Sequence, residues 1–128
     1  MALSRRINSI SRPASGDLST NQFRIVQLDA NGRVVVAVDG ATPNIGVLMN
    51  KPAAIDQAAE VAANGSIVKL EAGAAVNEND AIIAVAGGRG SATTTDDDNI
   101  VGYAITPAAA SADLFEVNVT APAQHGAP

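Results

Sequence analysis

The sequence predicts an all-β chain: a small β-barrel or sandwich built from two similar β-units, with an extended N-terminal arm and a short C-terminal tail. Three observations point there. From Phe23 onward the apolar residues fall in short β-branched runs separated by Gly, Pro, Asn and Asp, the texture of strands and turns. Several features recur in the same order in the two halves of the chain. No apolar run approaches the roughly 18 residues that a membrane-spanning helix needs.

The elements follow in order. Residues 1–22 form the arm, which is Ser-rich, carries Arg5, Arg6 and Arg12, and is broken by Pro13 and Gly16. Leu3, Ile7 and Ile10 stand at i, i+4 and i+7, a spacing that predicts a short amphipathic helix on contact with a partner. The body spans residues 23–119. Residues 23–28 and 33–38 flank the turn Asp29-Ala-Asn-Gly32 and predict a hairpin. Residues 45–49 are a third strand, and residues 51–59 a loop. Residues 60–62 and 66–70 lie either side of Asn64-Gly65 as strand, turn and strand. A polar excursion over 71–80 leads to an apolar strand at 81–86. The Gly, Thr and Asp content of residues 87–99 predicts a mobile loop. Residues 100–105 and 114–119 are the last strands, and residues 120–128 form a Pro/Ala-rich tail.

The recurrence defines the two units. Ile45-Gly46-Val47, Pro52-Ala-Ala54 and Glu60-Val61 are echoed by Val101-Gly102-Tyr103, Pro107-Ala-Ala109 and Glu116-Val117. Upstream, Val26-Gln-Leu28-Asp-Ala30 is echoed by Val68-Lys-Leu70-Glu-Ala72. Two such units packed together remove sheet edges.

Composition and charge narrow the function. The hydrophobic content is 47%, but a fifth of the chain is alanine and aromatics are only 2%. An alanine methyl stabilises far less on burial than a Val, Leu or Ile side chain, so the core is lean. Oligomerisation or docking on a partner would support it by mass action. The first 16 residues carry +3 and the remainder, with 5 basic and 13 acidic groups, −8, giving the net −5. A basic arm on an acidic body suits a negative protein surface. It does not suit nucleic acid, which the body would repel.

A catalytic site is not expected. There is no cysteine, and the single histidine, His125, lies in the tail. Ser-His and Cys-His arrangements are therefore unavailable to the body. Asp96-Asp97-Asp98 lacks the spacing of a calcium loop and reads as a solvated turn. Gly87-Gly-Arg-Gly90 lacks the Gly-Lys-Ser/Thr ending of a phosphate loop. No cofactor, metal, membrane or nucleic-acid partner is expected, nor does the N-terminus carry the apolar stretch of a secretory signal.

The arrangement resembles the capsid cement or head-decoration proteins of tailed phages. The matching residues are Asp17-Leu-Ser-Thr-Asn-Gln-Phe23, Val26–Asp29, Ile45-Gly-Val-Leu-Met-Asn-Lys-Pro-Ala-Ala54, Glu60-Val61, Val68-Lys-Leu-Glu-Ala-Gly73, Ile100-Val-Gly-Tyr-Ala104 and Glu116-Val117. The resemblance implies a barrel-like body on the outer surface of a virion, often as a homotrimer, clamping neighbouring major capsid subunits. It also implies an arm that grips the capsid, for which Leu3, Arg5, Arg6, Ile7, Ile10, Arg12, Asn21 and Phe23 are the candidates. A non-viral β-barrel binding or assembly module is the alternative, and an enzyme using a carboxylate pair a further rival.

Overall fold

The computed structural model describes residues 8–95 and 98–124, with side chains to Ala121. Ten strands run in order: β1 (Ser9–Pro13), β2 (Ile25–Leu28), β3 (Val34–Val36), β4 (Gly46–Leu48), β5 (Ala58–Ala62), β6 (Ile67–Glu71), β7 (Ala81–Val85), β8 (Arg89–Thr93), β9 (Asn99–Ala104) and β10 (Leu114–Gln124). They form two antiparallel five-stranded sheets, ordered β1-β5-β4-β2-β3 and β6-β10-β9-β7-β8. The second order is the first with every strand advanced by five. The chain is one β-unit used twice.

The duplication holds residue by residue. Ile25 lies opposite Val47 and Val26 opposite Gly46; 56 positions on, Ala81 lies opposite Tyr103 and Ile82 opposite Gly102. Gln27 opposite Val35 becomes Ile83 opposite Ser91 in the same way. Phe23 and Asn79, also 56 apart, both adopt positive φ, as do Gly32 and Gly88 in the hairpin turns. Asn50 Oδ1 accepts the Glu60 N–H at 2.9 Å, and Thr106 Oγ1 accepts the Glu116 N–H at 2.9 Å. For the opening strand of each unit the offset is 58: Ala14 bridges Val34 as Ala72 bridges Gly90. Each sheet thus curls back on itself but meets through a single parallel bridge, so it is not a closed barrel.

The repeated (Ile/Val)-Gly motif has a steric cause. A Cβ on Gly46 would sit 2.0 Å from the Ala62 carbonyl oxygen, and one on Gly102 2.0 Å from that of Asn118. Only glycine lets the two backbones approach this closely. The upstream echo does not survive in the structure. Val26 to Leu28 lie in β2, whose counterpart is β7, whereas Val68 to Leu70 lie in β6, the counterpart of β1.

Three boundaries fall elsewhere than the sequence indicates. Residues 9–13 of the arm are a strand, with Ile10 opposite Val61, so Ile10 is not on a helix. The expected mobile loop 87–99 contains β8, laddered to β7 over five residue pairs. The final strand runs five residues into the tail, pairing Ala123 with Ile100. In each case a partner strand supplies backbone hydrogen bonds that weak local β-propensity did not announce.

Two hydrophobic clusters hold the sheets. One belongs to the first unit alone and includes Ala14, Leu18, Val26, Val34, Leu48, Ala59 and Val61. The other gathers the corresponding interior of the second unit, around Phe115, Leu70 and Ile82, and joins to it Ile25, Ala37, Val47 and Ala62 from the first. The row Ile25–Val47–Ala62 crosses β2, β4 and β5 on one face and seals the two units together.

Candidate interaction surface

Strand β1 is the most accessible element of the fold. Among the described residues it ends its sheet and pairs only with β5 along its length, and it exposes all five residues. Its counterpart β6 buries Val68 and Leu70 completely. The difference lies in the side chains: the places of Val68 and Leu70 are taken in β1 by Ile10, which is 42% exposed, and Arg12. Arg12 donates from Nη2 to the Gly32 carbonyl at 3.3 Å. Pro13 and the serines blunt this edge against indiscriminate pairing.

The candidate residues do not form one patch. Ile10 and Arg12 share β1. Asn21 is half-buried, its N–H donating to the Leu18 carbonyl at 3.0 Å. Phe23 is half-buried at φ 64°, under the Lys69 ammonium, which stands 5.5 Å from its ring centroid. Its carbonyl accepts the Glu71 N–H at 2.9 Å. Asn21 through its backbone and Phe23 through its ring and backbone thus take part in internal contacts. Leu3, Arg5, Arg6 and Ile7 lie outside the described residues.

Sequence reasoning missed the charged clasp between the units. Glu71 Oε2 meets Arg24 Nη2 at 3.1 Å and Arg89 Nε at 2.6 Å, while Arg24 Nη1 donates to the Gly87 carbonyl at 2.8 Å. These residues are far apart in sequence, and only the packing brings them together. A second pair, Arg33 Nε with Asp56 Oδ1 at 2.7 Å, ties the first hairpin turn to the loop before β5. The Arg33 guanidinium holds the Asp56 carboxyl below its ordinary pKa, by hydrogen bond first and charge second. The Ser19 hydroxyl and N–H do the same to Asp17.

In the second unit, Thr93 Oγ1 donates to Asp98 Oδ2 at 2.7 Å and accepts the Thr95 N–H at 3.0 Å. Asp96 and Asp97 lie outside the described residues. Among the described residues, no group of three His, Cys, Asp or Glu side chains converges as metal ligands would. An open cavity of about 620 Å³ lies between residues 75–77 and the loop 107–109, with Asp113 and Leu114 at its side.

No family model matches the chain, and no curated protein matches it. Among solved structures, it is similar to the N-terminal base of the head fiber protein gp8.5 of bacteriophage phi29. The TM-score is 0.69 at 14% sequence identity, covering 93% of this chain and 99% of that one. The likeness is one of fold.

Proposed function

We propose that this chain is a structural protein of a phage virion, bound to the outer surface of the capsid. There it cements neighbouring major capsid subunits as a homotrimer. The observation that carries the reading is the near-complete structural likeness to the base of a phage head fiber. The exposed edge strand agrees with it. β1 offers unpaired backbone groups, one apolar side chain and one arginine along an extended line, which suits strand addition to a capsid sheet. The function is mechanical rather than enzymatic. Each copy buries a modest area, and many copies on one shell raise its resistance to rupture through multivalent attachment.

Co-sedimentation with heads assembled from the cognate capsid protein tests this. The wild-type chain should saturate the heads. The variant Ile10→Asp should lose at least tenfold in apparent affinity while keeping its β-rich circular dichroism. Wild-type protein that stays in the supernatant overturns the proposal.

A further inference from the structure

The duplication leaves one face unequally used. In the first unit, the row Ile25–Val47–Ala62 is fully buried against the second unit. The same row of the second unit is Ala81–Tyr103–Asn118; there Ala81 is buried, but Tyr103 is 43% exposed and Asn118 is exposed. The packing of the two units is therefore not two-fold symmetric. The face that one half covers is left open on the other.

The structure also shows what covers such a face. Around Ile25, the second unit presents the backbone of Glu71 to Phe23 and the turn at Gly87-Gly88 to Arg24. Gly88 lies so close to the first unit that a Cβ would stand 2.8 Å from the Ile25 carbonyl oxygen and 2.7 Å from Val36 Cγ1. The corresponding positions of the first unit are Pro13, Asn31 and Gly32. Pro13 and Asn31 are exposed and Gly32 is half-exposed. The molecule thus carries both an open face and an open copy of the edge that covers it.

Charge is complementary across the open face and edge as well, though from a neighbouring position on the edge. Within the chain, Arg24 on the covered face meets Glu71 on the covering edge. On the open face the position of Arg24 is taken by Asp80. On the open edge the position of Glu71 is Pro13, flanked by Arg12, whose guanidinium reaches Gly32.

We infer that a second copy of this chain docks on the face around Tyr103 and Asp80 with its edge at Arg12, Pro13 and Gly32. This contact repeats between molecules the one made within each. It is heterologous, so copies close into a ring or extend as a filament. It deepens the homotrimer of the proposed function by naming its interface, and takes only its setting from that reading.

The chain has no cysteine, which allows a clean test. Asn79→Cys and Pro13→Cys, at the positions equivalent to Phe23 and Glu71, whose backbones bond at 2.9 Å within the chain, are made as separate variants, mixed at micromolar concentration and oxidised without capsids. The mixture should give the mixed disulfide, and neither variant alone should dimerise. In sedimentation, Asp80→Arg should weaken association at least tenfold, and adding Arg12→Asp should restore it. A monomer throughout the concentration range, or an Asn79→Cys variant that dimerises with itself, overturns the inference. Capsid co-sedimentation separates the two readings. Copies that join in this way but ignore heads sink the capsid binding alone, and copies that bind heads as monomers sink this inference and the trimer but leave the capsid binding.

Discussion

Gly90 lies under the ring of Phe115: a Cβ at this position would stand 3.2 Å from Phe115 Cζ and 2.7 Å from Leu70 Cδ2. In the first unit, the same two places are held by Val34 and Ala59, both fully buried. One interior uses a medium and a small side chain, and the other a large one and none. The same backbone is kept because the change at one position offsets the change at the other.

This exchange predicts a coupled pair. Gly90→Val alone should overpack the second interior and cost about 1–3 kcal/mol. Phe115→Ala alone should leave a cavity and cost about 3–5 kcal/mol. The double variant, which copies the first unit's solution, should lose clearly less than the sum of the two. Denaturant midpoints of the four proteins measure the coupling.

The two motif glycines should both resist substitution. Gly46→Ala and Gly102→Ala each push a methyl into a carbonyl 2.0 Å away, on neighbouring backbone that has no room to retreat. Each should cost about 3 kcal/mol, the upper end of the usual overpacking range. Both should lower the thermal midpoint, Gly46→Ala the more because Gly46 also sits at φ +140°, whereas Gly65→Ala, where no atom lies within 4 Å, suffers only the strain of its φ of +97°.

The clasp at Glu71 should matter more than the surface pair at Asp56. Glu71 accepts from two arginines, and the Arg24 side chain is only 15% exposed. Glu71→Ala should cost about 1–3 kcal/mol, the scale of hydrogen bonds to charged groups. Asp56→Ala removes a solvent-exposed pair and should shift stability much less. Urea titrations at low and high salt distinguish them, the Glu71 effect being the less screened.

Acid should weaken the fold through Asp56 and Asp17. Both carboxyls are held below the ordinary value of 3.8 in the folded chain. A depressed folded pKa gives stability that is complete above the unfolded value and is lost as pH falls through the folded one. The wild-type thermal midpoint should therefore fall as pH drops below about 4. The Asp56→Asn variant should show a shallower fall over the same range. An identical slope would remove Asp56 from the account.

How much of this was legible in the sequence depends on which residues carried each feature. Val, Ile and Leu runs bounded by Asn-Gly announced β2, β3 and β6, because burial on one face demands apolar side chains there. Arg89-Gly-Ser-Ala-Thr93 announced nothing. Its strand exists because β7 lies beside it and because Phe115 needs a glycine beneath its ring. Ser9–Pro13 is equally quiet, since a strand exposed on every residue has no hydrophobic pattern to show. The duplication was visible at Gly46 and Gly102, where sterics permit only one residue type. It was hidden over β1 and β6, where Ile10 and Arg12 face solvent while Val68 and Leu70 are buried. Of the candidate surface, Ile10 and Arg12 could be picked out as arm residues. Tyr103 could not, because its exposure follows from which half covers which.

That unequal covering gives the molecule a direction. Two like parts joined face to face would look the same from either end, and a surface holding them could not tell which way up they stood. Here the halves follow one another as links do. Whatever grips the chain by its first strand fixes which end points away from the grip, and every copy on one surface must then point alike.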